Sequence, residues 1–278
     1  MRANTPLATR PHPRSPRGAK GLLFASMLAA FGASAETIVG LTNTNQLAIF
    51  DSAARANASA LVTLSGLQTN EILLGIDYRP ADGRLYGLGS ANRLYTVQAA
   101  TGVSTFLAAL TTADGTAPFS LAGGAYGVDF NPVPDLGLTL PSLRVTSTSG
   151  ENLRINVNPG VAGRVSGDTA LSGPQGTPRI AASAYTNPDT DPATGTALFG
   201  IDFATDSLYQ QAPPNNGTLT LIGALGVDTS GLVGFDIAQS GATYASLTSP
   251  LTGKSAVYAL GSDGSAALIG AFGIGGNT

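Results

Sequence analysis

One four-residue string returns along this chain, and its spacing limits the fold more than any other feature. Gly75-Ile76-Asp77-Tyr78 recurs as Gly127-Val128-Asp129-Phe130 and as Gly234-Phe235-Asp236-Ile237. The starts lie 52 and 107 residues apart, the second interval being close to twice the first. One unit in the middle has therefore lost the string, and Ile180 to Tyr185 stands in the expected place. A second pattern marks a later point in the units: Leu94-Tyr95-Thr96-Val97, Leu198-Phe199-Gly200-Ile201 and Val257-Tyr258-Ala259-Leu260. A third closes two units almost identically, as Leu221-Ile222-Gly223-Ala224-Leu225-Gly226 and Leu268-Ile269-Gly270-Ala271-Phe272-Gly273. A fixed period of this size means stacked units, each burying the hydrophobic face of its neighbour.

Within a unit the residues read as short strands. Leu73 to Tyr78, Arg84 to Leu88, Arg93 to Gln98 and Ser104 to Ala108 are apolar runs. They are separated by Pro80-Ala81-Asp82-Gly83, Gly89-Ser90-Ala91-Asn92 and Ala100-Thr101-Gly102, where Gly or Asn supplies positive φ and Pro presets a turn. The last unit repeats the scheme with Leu232 to Ile237, Thr243 to Leu247, Ala256 to Leu260 and Ala266 to Ile269. Four short antiparallel strands per unit of roughly 40–50 residues describe a propeller blade. The sequence thus predicts an all-β, propeller-like ring of about five four-stranded units, with boundaries near residues 70, 120, 175 and 228. The first unit, Thr37 to Leu67, shows only three clear strands; either a terminal strand completes it or the ring is irregular there. Ala53 to Ala60 is Ala-rich but too short to hold a helix alone.

The N-terminal stretch is not part of the ring. Residues 1–20 carry Arg2, Arg10, Arg14, Arg17 and Lys20 and no acidic residue, an apolar run follows from Leu22 to Phe31, and Ala33-Ser34-Ala35 forms a small-x-small cleavage site. Residues 1–35 read as a secretory signal peptide, because the apolar run is shorter than the roughly 20 residues that span a bilayer. Residues 36–278 then form a single repeat domain, expected in the periplasm or outside the cell, with no membrane insertion after cleavage. Removal of the leader takes five of the 14 basic residues and none of the 17 acidic ones. The acidic remainder argues against nucleic acid as a partner, since phosphate backbones are held by clustered Lys and Arg.

The string Leu73-Leu74-Gly75-Ile76-Asp77-Tyr78-Arg79-Pro80, with Arg84-Leu85-Tyr86-Gly87-Leu88-Gly89 and Arg93-Leu94-Tyr95-Thr96-Val97, resembles the exported bacterial family known as domain of unknown function 4394. Pro213-Pro214-Asn215-Asn216-Gly217-Thr218-Leu219, Leu225-Gly226-Val227-Asp228 and Gly234-Phe235-Asp236-Ile237 are similar to that family too. The resemblance implies an exported, propeller-like protein and brings no catalytic residue with it.

Composition removes most chemistry. Beyond the leader the chain has no Cys, His, Met or Trp, so thiol and imidazole nucleophile systems, and Cys or His metal sites, are excluded there. No Gly-x-x-x-x-Gly-Lys phosphate loop is present. Carboxylate chemistry survives, on Glu36, Glu71, Glu151 and 14 Asp. An oxygen-only calcium site is the other open possibility: Asn187, Asp189 and Asp191 stand at i, i+2 and i+4, as at the start of a calcium loop. Pro192 sits where such a loop needs Gly, and Leu198 sits where it needs a bidentate Glu, so an exposed Pro- and Asp-rich turn is the simpler reading. Asp77, Asp129 and Asp236 have two readings. Each accepts backbone N–H groups of its own blade turn, or the three converge on the ring axis and hold a cation. The repeated Gly residues fit close packing of adjacent blades near the axis.

These readings lead to an exported, non-catalytic binding or interaction domain for an unidentified protein or glycan, with no cofactor beyond a possible calcium ion. The alternatives are a carboxylate-dependent hydrolase acting on an extracytoplasmic glycan and a structural envelope or matrix protein.

Overall fold

A computed structural model describes residues 35–54, 58–191 and 193–271. The leader segment and Pro192 lie outside the described residues. Five antiparallel sheets form in chain order. The first is β1 (Thr37–Leu41), β2 (Gln46–Asp51) and β3 (Ala58–Thr63). The second is β4 (Leu73–Tyr78), β5 (Leu85–Gly89), β6 (Arg93–Val97) and β7 (Ser104–Ala109). A two-residue strand, β8 (Thr111–Thr112), then joins the third sheet in parallel with its last strand. That sheet continues with β9 (Tyr126–Phe130), β10 (Leu143–Ser147), β11 (Asn152–Ile155) and β12 (Arg164–Gly167). The fourth is β13 (Ile180–Tyr185), β14 (Leu198–Asp202), β15 (Ser207–Gln211) and β16 (Leu219–Ala224). The fifth is β17 (Val233–Ile237), β18 (Thr243–Thr248), β19 (Ser255–Leu260) and β20 (Ala266–Ala271).

The inner strands of successive sheets pack on one another, β4 on β9, β9 on β13 and β13 on β17. Apolar side chains alternate toward the spaces between sheets and form several separate cores. One joins Leu88, Leu94, Phe130, Leu143 and Ile155; another joins Ile201, Leu225, Ala245 and Leu247. Ile180–Tyr185 is an inner strand as expected, although it lacks the repeated string. One expected correspondence shifts. Leu198 to Ile201 lies in a second strand, whereas Leu94 to Val97 and Val257 to Leu260 lie in third strands. The connection from β13 to β14 is long, so counting along the chain slips by one strand there.

The first sheet is short at its inner edge. The turn from second to third strand carries positive φ at Asn92 (58°), Gly150 (88°), Asp206 (46°) and Gly253 (66°). The turn from β1 to β2 has the same conformation, at Asn45 with φ 56°. The carbonyl of this turn residue accepts the N–H that follows the fourth strand, from Leu110 to Asn92, Leu171 to Gly150 and Leu225 to Asp206, and from Leu64 to Asn45. Val39-Gly40-Leu41 also aligns with Tyr86-Gly87-Leu88 of β5. So β1, β2 and β3 are the second, third and fourth strands of their blade, and no described residue supplies the first.

Candidate functional site: the axial carboxylates

Glycine and aspartate two residues apart project from the same side of a strand. On β4 that side faces β9. A Cβ at Gly75 would stand 2.5 Å from Val128 Cγ2, so glycine here permits the next inner strand to close in. Two residues on, Asp77 Oδ2 accepts the Phe130 N–H at 2.7 Å. The pattern repeats between β9 and β13: a Cβ at Gly127 would meet the Ser183 Oγ at 2.5 Å and its backbone N at 2.6 Å. Asp129 accepts a backbone N–H from Tyr185. The repeated string is therefore a latch between neighbouring blades. This corrects the reading in which each Asp caps its own blade turn: Asp77 and Asp129 reach the next blade, and Asp236 Oδ1 accepts the N–H of the adjacent Ile237 at 2.7 Å.

The latches also bring the three carboxylates together. One oxygen each from Asp77, Asp129 and Asp236 lies within 4.8 Å of the others, and no second group of three acidic residues approaches as closely among the described residues. Asp129 is only 5% exposed, Asp77 is half-buried and Asp236 is the most exposed of the three. Desolvation, followed by the charges of Asp236 and then Asp135, raises the Asp77 pKa well above the ordinary value; its bonds from Phe130 and Tyr78 oppose this. Asp129 is raised likewise, by desolvation and then by Asp77 and Asp236. Asp236, though exposed on one side, is raised by desolvation and by Glu36. Ala184 occupies the corresponding position on β13 and adds no charge.

Asp135 and Asp206 join neighbouring blades, and several other acidic and amide side chains brace their own blade or turn. Arg79 donates to Asp135 at 2.7 Å and to Asn158 at 2.6 Å, tying the second blade to the third. Arg144 donates to Asp168 at 2.7 Å, Asn152 at 2.8 Å, Asn215 at 2.7 Å and the Tyr185 hydroxyl at 3.2 Å, tying the third to the fourth. Glu71 accepts from the Tyr95 hydroxyl at 2.5 Å and the Ala91 N–H at 3.1 Å. The side chains of Asn45, Asn92 and Asp206 accept N–H groups of Leu73, Leu121 and Thr229, each at the start of the next blade. Sequence reading missed these staples, because all of their partners but Asn152 lie 20–79 residues away.

The Asn187 loop looks different. Asp189 accepts from the Asp191 N–H at 2.8 Å and from the Thr194 hydroxyl at 2.9 Å, and Asp191 accepts the Ala193 N–H at 2.9 Å. Asn187, at φ 54°, donates its side-chain amide to Gly195 O at 3.1 Å. Asn187, Asp189 and Asp191 thus shape an exposed turn between β13 and β14 with their own polar groups. Among the described residues no helix is long and apolar enough to cross a membrane.

Five sheets set in chain order around a ring define a five-bladed β-propeller. Residues 46–278 match the family described as domain of unknown function 4394, and the chain belongs to that family. No curated protein matches. Solved structures share the chain path distantly. An auxiliary nutrient binding protein from Bacteroides thetaiotaomicron is 11% identical over 74% of this chain and 55% of its own, with a TM-score of 0.41. This chain thus spans about half of that protein. The glutaminyl cyclase of Myxococcus xanthus is 14% identical over 76% of this chain and 90% of its own, with a TM-score of 0.43. A Bacteroides thetaiotaomicron protein of unknown function is 12% identical over 80% of this chain and 54% of its own, with a TM-score of 0.46.

Proposed function

We propose that the protein is an exported, non-catalytic binding domain that takes a positively charged group between Asp77, Asp129 and Asp236. The observation that carries this reading is the convergence of three carboxylates, from blades far apart in sequence, to within 4.8 Å. Two oxygens bound to one calcium ion at about 2.4 Å stand at most about 4.8 Å apart, so such an ion fits between them. Burial and then mutual repulsion raise these carboxyls, and a cation offsets the repulsion. Export is supported by the basic, then apolar, then small-residue order of residues 1–35. The non-catalytic reading is supported by the other commitments of the acidic residues: Glu71 is bound by Tyr95 and backbone, and Glu151 accepts from Ala122 N–H.

Thermal melts with calcium and with chelator test the site. At 100-fold its dissociation constant, calcium adds about 2.7 kcal/mol of stability. Asp129→Asn abolishes the gain, whereas Asp189→Asn leaves it intact. A gain that follows Asp189 instead moves the site to the Asn187 loop, and no gain from calcium or from a cationic amine overturns the proposal.

A further inference from the structure

The residue that follows the leader is held by the fold. The register of β1 on β2 pairs Thr37 with Asp51, which sets Glu36 opposite Ser52. Glu36 N–H donates to the Ser52 Oγ at 3.0 Å, and Ser52 N–H donates to the Glu36 carbonyl at 2.9 Å. Ala35, one residue earlier, is exposed. Cleavage after Ala33-Ser34-Ala35 therefore leaves a new terminus that is already bonded into the first blade, with no free residue ahead of it.

The side chain of this residue is poorly compensated. Glu36 Oε2 is buried and accepts no hydrogen bond. No ion pair among the described residues includes Glu36 or Asp236. A carboxylate oxygen taken out of water without a donor or a cation costs free energy. The groups around it add to that cost. Burial raises the Asp236 pKa, its bond from the Ile237 N–H opposes this, and the Glu36 charge raises it further. The Tyr244 hydroxyl of β18 meets both Ser52 and Glu36: burial raises its pKa most, the Ser52 hydrogen bond opposes this, and the Glu36 carboxylate adds to it. Glu36 thus lies where the first blade meets the fifth, beside acidic and neutral groups only.

We propose that leader cleavage supplies the missing charge: the α-ammonium formed at Glu36 bonds the Ser52 Oγ and the Glu36 carboxylate, and locks the N-terminus into the seam between the first and fifth blades. The step is a hydrolysis. Water adds across the Ala35–Glu36 peptide bond under a leader peptidase, the hydroxyl completes the Ala35 carboxylate, and the Glu36 nitrogen gains protons to become an ammonium. Before cleavage that nitrogen has one N–H, which Ser52 uses. Afterwards it has three donors and a positive charge, so Ser52 keeps one and Oε2, four carbons along the same side chain, takes another. The ammonium also offsets the repulsion between Glu36 and Asp236. This inference rests on the export reading given above and names what processing does to the fold.

The test uses exported, processed protein carrying Lys254→Arg, in which the α-amine is the only amine, because Lys254 is the one lysine beyond the leader. Chelator is present throughout, which keeps the axial site out of the comparison. Acetylation of the α-amine lowers the Tm by about 2–4 °C. In Glu36→Gln the same acetylation shifts the Tm by less than about 1 °C, since the carboxylate partner is gone. The rate of acetylation, read on the native fold before any melt, is at least about threefold slower at neutral pH than in Glu36→Gln, because the ion pair holds the amine protonated. Equal Tm losses in the two proteins, or equal acetylation rates, overturn the lock. N-terminal sequencing separates the two readings: a start elsewhere than Glu36 overturns this export reading and the lock together, whereas a Glu36 start with equal losses or equal rates overturns the lock alone.

Discussion

Two sectors of the ring use the same Gly-x-Asp string with opposite outcomes. From β4 through β9 to β13 each string meets an inner strand, its glycine disappears under Val128 or Ser183, and its aspartate takes the neighbour's N–H. From β17 toward β1 the string meets no described strand and stays exposed. The fifth and first blades are joined farther out, where Phe50 and Val257 pack with Ile38 and Ile269. A repeat therefore specifies a surface that can pair, and pairing depends on what the next unit offers.

The largest effect that separates the sectors is expected at Arg144. It is 1% exposed and binds four partners across the third and fourth blades. Arg144→Ala leaves those buried groups without their cation and destabilises by about 3–5 kcal/mol in denaturant melts. A loss under about 1 kcal/mol would show that the closed sector is held by apolar packing alone.

Glycine substitutions sharpen the contrast. Gly127→Ala forces a methyl onto Ser183 backbone and costs about 1–3 kcal/mol or more, whereas Gly234→Ala faces open space and shifts stability by less than about 0.5 kcal/mol. Equal costs in the same melts would mean that β17 is covered in solution.

The smallest effects, and the most informative about charge, come from the aspartates. Asp77→Ala strands the Phe130 N–H and costs about 1–3 kcal/mol, whereas Asp236→Ala costs little because its donor is on its own exposed strand. Asp77→Asn keeps an acceptor and removes one of three mutually repelling charges, so it stabilises at neutral pH. The pH dependence has a defined sign. Asp77 and Asp129 have folded pKa values raised above the unfolded value of about 3.9. The folded state holds protons that the unfolded chain releases, so their contribution is fully present below about pH 3.9 and is lost as pH rises through the raised folded values. Stability measured upward from pH 4 falls less steeply in Asp77→Asn than in the original protein, and an identical slope would dismiss the charge coupling.

The blades were legible because strand alternation and turn chemistry are local. Leu73 to Tyr78 and its turns at Asp82-Gly83 and Asn92 carry that signal within a few residues, and β4, β5 and β6 form there. The long connection after β13 hid the order of strands in the fourth blade, since a count along the chain cannot see which runs pair. The axial cluster was half legible: the repetition of Asp77, Asp129 and Asp236 marked them as equivalent, and a convergent site was one of two readings. The Arg79 and Arg144 staples had no signal, because each is a single basic residue most of whose partners come from distant parts of the chain.

Sequence alone determined the repeat, the all-β ring and the exclusion of imidazole and thiol chemistry beyond the leader, since these follow from spacing and residue type. Only the tertiary structure decided that Asp77 and Asp129 reach across blades rather than into their own turns, and that β1 takes the place of a second strand. Both depend on register. A shift of one strand position leaves the local pattern of alternation and turns unchanged while moving every partner, so only the assembled ring shows which strand each Gly-x-Asp string meets.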